Sequence, residues 1–270
     1  MVYETILCDK KDKIATITLN RPETLNAWNM TMGEEAYAAL DEVRKDDDIR
    51  VLIITGAGRG FSSGADLSAL GGVSAGPPGF NEGMVGATMK GRRGVWDLTA
   101  AICNLPKPVI AAVNGVTAGA GFSVALACDI RIASDKARFS QIFVKRGLIP
   151  DSGATFFLPR IVGLAKACEL VFTGDMIEAA EAERIGLVSR VVPHDELMNV
   201  TWELAERIAS GPPITIQLSK MALHRGSIAT SLEDQVDHEN YVQQMCFATE
   251  DFIEGVKAFI EKREPIFKGK

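Results

Sequence analysis

Three stretches of this chain carry residues whose types and spacing could do chemistry. Asp151 stands in Lys145-Arg-Gly-Leu-Ile-Pro-Asp-Ser-Gly-Ala-Thr155, eight residues after Phe143. Upstream lie two glycine-rich segments. Gly56-Ala-Gly-Arg-Gly-Phe-Ser-Ser-Gly-Ala-Asp-Leu67 follows the apolar run Val51-Leu-Ile-Ile-Thr55, and Asn114-Gly-Val-Thr-Ala-Gly-Ala-Gly-Phe-Ser-Val-Ala125 follows Pro108-Val-Ile-Ala-Ala-Val113. Both read as a strand, a turn of small residues and the start of a helix. The first N–H groups of a helix lack internal partners and carry partial positive charge, so two such starts that converge can hold a developing oxyanion. A carboxylate nearby could then move the proton whose loss creates that charge. Each piece also has a plain structural reading. Gly64-Ala-Asp can be a tight turn with Asp66 capping a helix, and Asp151 can be an ordinary turn or N-cap residue.

The elements that must position these residues are partly legible. Ile14-Ala-Thr-Ile-Thr-Leu19 is expected to be a strand, broken by Asn20-Arg-Pro-Glu23, and Met32 to Val43 has helical spacing. Short strands are expected at Val51–Thr55, Val109–Val113 and Ile130–Ala133, with a further one along Gly186-Leu-Val-Ser-Arg-Val-Val192. Strands separated by helices predict an α/β chain, although periodicity does not give their order. Gly71-Gly-Val-Ser-Ala-Gly-Pro-Pro-Gly opens a stretch reaching Gly94 that resists regular structure, either a surface insertion or a flap. After about Asn199 the chain reads as helical: Thr201 to Ser210, then Ile214 to His224, and a last helix with Phe252, Val256, Phe259 and Ile260 on one face. Thr249-Glu-Asp marks the start of that helix and Pro265 its expected end. The expected division is therefore a core over residues 1–198 and a helical region over 199–270.

Composition excludes several classes. The 270 residues are 47% hydrophobic and 24% charged, ordinary for a soluble domain, and the formal net charge of −6 argues against a nucleic-acid surface. No apolar run is long enough to span a bilayer, and the start lacks a secretory pattern, so no membrane is expected and a cytoplasmic location is. Five widely spaced cysteines, without a CxxC pair, read as reduced thiols. No His/Cys cluster has metal-ligand spacing, so no metal is expected. The three histidines, His194, His224 and His238, read as surface or helix-packing residues.

The two turns and the Asp151 stretch together resemble the crotonase (enoyl-CoA hydratase/isomerase) superfamily, and the resemblance runs over essentially the whole chain. Gly147-Leu-Ile-Pro-Asp-Ser-Gly-Ala-Thr-Phe-Phe-Leu-Pro-Arg160, Thr55-Gly-Ala-Gly-Arg-Gly-Phe61 and the ending Lys257 to Lys270 are most similar to its 1,2-epoxyphenylacetyl-CoA isomerase-like members. The resemblance implies a spiral of strand–strand–helix repeats followed by helices that serve assembly into a trimer or a dimer of trimers. It implies an acyl-CoA thioester substrate, with coenzyme A part of the substrate and no separate cofactor. It places the oxyanion donors at the main-chain N–H groups of Ala65 and Ala120. Thioester contacts fall to Arg21, Leu25 and Ala27, and to Ser63, Gly64, Asp66, Leu67, Gly119 and Phe143 around the turns. Lys268 and Lys270 could meet the 3′-phosphate of the coenzyme.

The departures from the family pattern have chemical consequences. Hydratases of the family carry glutamates where this chain has Ser123 and Phe143, and these two side chains can neither deprotonate a water nor deliver a proton. Dienoyl isomerases add a second carboxylate at the position of Phe143, which is also missing. A dehalogenase of the superfamily uses an aspartate aligned with Asp151, but together with a histidine base that none of the three histidines matches. The expectation is an acyl-CoA isomerase with Asp151 as its sole acid/base, moving a double bond or opening a ring epoxide. The alternatives are a hydratase-like enzyme with little hydration activity and a homologue that binds acyl-CoA without turnover.

Overall fold

The computed structural model describes residues 2–66 and 95–270, so the expected flap between Gly71 and Gly94, and Leu67, lie outside the described residues. Two sheets form the centre. Six strands run in the order β1 (Ile6–Lys11), β2 (Ile14–Leu19), β3 (Val51–Gly56), β5 (Val109–Val113), β7 (Ile130–Ser134) and β10 (Arg190–Val192). Four more run in the order β4 (Gly60–Ser62), β6 (Val116–Ala118), β8 (Arg138–Ser140) and β9 (Ile177–Glu178). Pairing is parallel except for β1 with β2 and β8 with β9.

The order explains the spiral. β3, β5 and β7 enter the large sheet, and the strand after each, β4, β6 and β8, enters the small one. From β3 to β8, each turn of chain therefore places one strand in each sheet. Val51–Thr55 and Val109–Val113 are buried on both faces, as central parallel strands must be, which is why they read as unbroken apolar runs rather than alternating ones.

Helix α1 (Met30–Lys45) begins at Asn29, whose side chain accepts from Met32 N, and buries Ala36, Leu40 and Val43 as their spacing predicted. Next among the described residues comes α2 (Val95–Cys103), then α3 (Gly119–Ala127), in which all nine residues are buried. An all-round buried helix needs small side chains to pass between layers, and Gly119-Ala-Gly-Phe-Ser-Val-Ala-Leu-Ala127 supplies them. After β8 a short 3₁₀ turn (Ile142–Arg146) leads through the Asp151 loop into α4 (Ala154–Val162) and α5 (Leu164–Thr173). Helix α6 (Ala179–Arg184) precedes β10.

Three readings change at the C-terminal end. The strand expected from Gly186 forms only over Arg190–Val192; Gly186 sits at φ +73 in a turn, so the residues between turn the chain before pairing begins. Helix α7 spans Leu197–Ala209, and its Leu197, Ala205 and Ala209 pack with Ile14, Ile53, Ile110 and Ile132 on the large sheet. The expected division after residue 198 falls inside this helix. After α8 (Pro213–Gly226) comes α9 (Leu232–Phe247), which the sequence did not reveal because its apolar residues are few and irregular; Ser231 caps it by accepting from Asp234 N. The last helix, α10 (Glu250–Glu261), starts at the Thr249 cap as expected but ends at Lys262, φ +55, before Pro265. The chain end then folds back: Asp251 accepts from the N–H groups of Lys268 and Gly269 at 2.7 and 2.8 Å.

Candidate active site

The two glycine-rich turns meet. Gly64 (φ +97) and Gly119 (φ +52) both adopt left-handed backbone that a side chain would strain. A Cβ on Gly64 would stand 2.9 Å from Ala118 O and 3.4 Å from Ala120 N, so the turns approach to backbone contact. Ala65 forms an isolated parallel bridge with Trp28. Trp28 N donates to Gly64 O and Asp66 N donates to Trp28 O, both at 2.8 Å. These bonds use the groups flanking Ala65 and leave its own N–H outside the bridge. Ala120 is the second residue of α3, where a helical N–H has no carbonyl four residues back within the helix. Two backbone donors are thus brought together from segments far apart in sequence.

The loop before α1 braces this arrangement from the side. Arg21 donates to Ala27 O at 2.6 Å and to Asp66 Oδ2 at 2.9 Å, so Asp66 serves as an ion-pair partner. Leu25 and Asn26 are both left-handed, with φ +55 and +56. Ser63 N donates to Leu25 O at 2.9 Å and its hydroxyl to Thr24 O at 3.0 Å. Arg21, Leu25, Ala27, Ser63, Gly64 and Asp66 therefore form one hydrogen-bonded unit. Sequence reading missed its keystone. Asn26 is fully buried, accepts from Arg21 N at 2.8 Å, and donates to Ala57 O and Gly60 O at 2.9 and 2.8 Å. The available signal was an asparagine in a turn, a residue type that tolerates left-handed backbone.

The Asp151 loop meets α3 at Ser123. Its loop contains Ser152 at φ +51 and Gly153 at φ +78, and α4 begins at Gly153 without a side-chain cap. Asp151 is therefore not the helix cap that its neighbours allowed. Ser152 donates its hydroxyl to Asp151 Oδ1 at 2.9 Å. Asp151 is exposed at the surface of its loop, yet partial desolvation by the surrounding protein pushes its carboxyl above the ordinary value, and the Ser152 hydrogen bond opposes this in part. Leu148 and Ile149 point to solvent, Ile149 being 82% exposed, and do not wrap the carboxyl.

Ser123 touches the Asp151 loop, and Phe143 borders the second turn. The Ser123 hydroxyl is fully buried and donates to Asp151 O at 3.1 Å, with Gly119 O at 3.4 Å. Phe143 is buried, and its Cζ would lie 3.8 Å from a Cβ on Gly119. The ring borders the second turn as an apolar wall, in a place where an acid would change the chemistry.

One histidine is more engaged than expected. His224 on α8 holds Asp129 Oδ1 through Nε2 at 2.8 Å and faces Cys103 Sγ through Nδ1 at 3.4 Å. Lys220 Nζ lies 2.8 Å from Asp129 Oδ2, which also accepts from Val109 N at 2.7 Å. The bond to Asp129, then that to Cys103, pushes the His224 pKa up to about 9. This cluster pins α8 to the start of β5, in keeping with a helix-packing role. His194 meets Ser134 Oγ at 2.9 Å. All five cysteines are unbridged, and no group of His, Cys, Asp and Glu among the described residues could hold a metal ion.

Two glycine-rich turns meeting on a spiral of strand–strand–helix repeats define a class, and the comparisons agree with it. The enoyl-CoA hydratase/isomerase family model matches residues 9–270, and the chain belongs to that family, whose members act on acyl-CoA thioesters. It is 40% identical to the 1,2-epoxyphenylacetyl-CoA isomerase of Escherichia coli (strain K12) over 270 residues, covering 100% of both chains. It is 39% identical to the short-chain-enoyl-CoA hydratase of Clostridium acetobutylicum over 265 residues, covering 98% of this chain and 97% of the other. The crystal structure of an enoyl-CoA hydratase from Bacillus anthracis superposes with a TM-score of 0.91 at 36% identity, covering 99% of this chain and 100% of that one.

Proposed function

We propose that this protein is an acyl-CoA isomerase that shifts a double bond, or opens a ring epoxide, through a thioester enolate with Asp151 as its only acid/base. The observation that carries the reading is one carboxyl of raised pKa joined to the oxyanion helix, with Ser123 and Phe143 in the places where an acid pair would be needed for hydration. For a 3-enoyl thioester, Asp151 takes a proton from the carbon next to the carbonyl. The C–H electron pair moves into the enolate, whose oxygen accepts hydrogen bonds from Ala65 and Ala120 N–H. The protonated Asp151 returns the same proton two carbons away, and the double bond comes to rest beside the carbonyl. Atoms balance without water. The Arg21 loop and Ser63, Gly64, Asp66, Leu67 and Gly119 hold the thioester end, and Phe143 keeps the acyl face apolar.

Relatives named as hydratases are as similar as the one named as an isomerase, so the discriminating experiment compares the two reactions. In a series of 3-enoyl-, 2-enoyl- and epoxide-bearing CoA thioesters, double-bond migration is expected to outrun water addition by at least about tenfold, because neither Ser123 nor Phe143 can serve as the second acid. Hydration as fast as migration would overturn the reading in favour of a hydratase. Affinity for the esters with no turnover on any of them would make the protein a binder.

The helical region after residue 198 is proposed to assemble the protein as a trimer or a dimer of trimers in the cytoplasm. Leu232, Phe259 and Ile260 are 79%, 85% and 72% exposed, apolar side chains that contacts between copies would cover. A cavity of about 570 Å³ also opens between α4 and α8, lined by Phe156, Phe157, Ile216 and Leu223. Sedimentation at micromolar concentration is expected to give three or six chains; a stable monomer would contradict the assignment. Among the described residues no helix is long and apolar enough to cross a membrane.

A further inference from the structure

We propose that Ser123 is a positioning residue for Asp151: its hydroxyl fixes the backbone of the acid/base to the helix that supplies one oxyanion donor. The inference rests on the isomerase reading and deepens it. Proton transfer to the enolate carbon requires the carboxyl and the oxyanion donors to keep one mutual distance through the reaction, and misplacement by about 1 Å costs roughly 10²-fold. Ala120 and Ser123 share α3, less than one helical turn apart, so a bond from Ser123 to the base loop sets that distance directly.

Pro150 and Ser152, on either side of Asp151, are buried, and α4 packs on the core. Among the described residues, the side-chain hydrogen bond that ties the Asp151 backbone itself to α3 comes from the Ser123 hydroxyl. Leu148 and Ile149, just before it, are exposed, and Ser152 and Gly153, just after it, are in consecutive left-handed conformations. Ser152 donates to Asp151 Oδ1 and orients the carboxyl on its own backbone, but it lies in the same loop and does not anchor that loop to α3. Ser123 Oγ, fully buried, has one proton to give. Asp151 O at 3.1 Å receives it in preference to Gly119 O at 3.4 Å, the weaker contact a helical serine makes with its own preceding turn.

The same geometry separates positioning from stability. Asp151 O also accepts from Ala154 N at 3.0 Å, so Ser123→Ala leaves no carbonyl orphaned and removes only a small hydroxyl. The protein is therefore expected to fold, with its loop free to drift.

The test uses the full-length protein, a short-chain 3-enoyl-CoA as substrate, and four forms: wild type, Ser123→Ala, Asp151→Asn and the double variant. Ser123→Ala is expected to lower kcat about 10- to 100-fold, with KM and thioester affinity changed less than about twofold. In the Asp151→Asn background, read over hours, the same change is expected to cost nothing further, since a residue acting through the carboxyl has nothing left to position. A full-sized additional loss in that background would show that Ser123 acts on the oxyanion helix or on stability, and an unchanged kcat in the single variant would show that the tether is idle. Either overturns the inference. Wild-type turnover in Asp151→Asn alone would instead overturn the isomerase reading beneath it.

Discussion

Replacing Asp151 by asparagine is expected to lower double-bond migration about 10²- to 10⁴-fold, the usual contribution of a positioned acid/base. Asparagine keeps the size of the side chain and can still accept from Ser152, so the loop should hold its shape. Thioester affinity should change little, because the proposed contacts lie on the Arg21 loop and the two turns. The pH dependence gives the same residue a second signature. Partial desolvation holds the Asp151 carboxyl above its ordinary value, and only the ionised form can accept a proton. In wild type kcat/KM should therefore be level above that raised pKa and fall about tenfold per pH unit below it. The residual activity of the asparagine variant should lack this acidic limb. Near-normal turnover, or an unchanged limb, would move the acid/base role elsewhere. Glutamates placed at Ser123 and Phe143 ask the converse question, whether water addition appears. The Ser123 change also removes the bond to Asp151 O, so a gain of hydration would come with a loss of isomerisation.

The second large effect is expected at Gly121. A Cβ there would lie 2.6 Å from Ser62 Cβ, Oγ and backbone O, a distance that real Cβ atoms do not occupy. Ser62 is fully buried, and its hydroxyl donates to Asn26 O at 2.8 Å, so it cannot turn aside. In Gly121→Val the strain must push the start of α3 away from β4, parting Ala120 from Ala65. Loss of one oxyanion donor costs about 10²- to 10³-fold in kcat, and that is the expected size of the defect. Steady-state kinetics beside a thermal melt decide it. Folded protein with near-normal kcat would show that the two turns need not touch for catalysis. The smaller Gly121→Ala carries the same clash in milder form and should fall between the two.

These predictions draw on unequal amounts of sequence information. The strand and turn of each glycine-rich segment, and the helix of the second, were legible because their causes are local; the helix expected after the first turn lies outside the described residues. Val51–Thr55 and Val109–Val113 are unbroken apolar runs because parallel central strands are buried on both faces, and Gly64 and Gly119 mark backbone that other residues resist. The Thr249 cap and the apolar face of α10 were readable for the same reason, since a cap and its helix lie within one turn. Helix α9 was not, because its sequence has too little periodic apolar pattern to announce a buried face.

The site divides along the same line. The sequence alone determined that two glycine-rich turns follow apolar strands, that Asp151 stands in a third stretch, and that Ser123 and Phe143 are not acids. Tertiary structure decided what touches what. It brought Gly64 to Ala118 O, turned Asp66 towards Arg21, opened Leu148 and Ile149 to solvent, and bound the Ser123 hydroxyl to the Asp151 carbonyl. Local pattern encodes backbone conformation, because φ and capping depend on near neighbours in the chain. Contacts between segments depend on how layers pack, and nothing in the 28 positions separating Ser123 from Asp151 announces a bond between them.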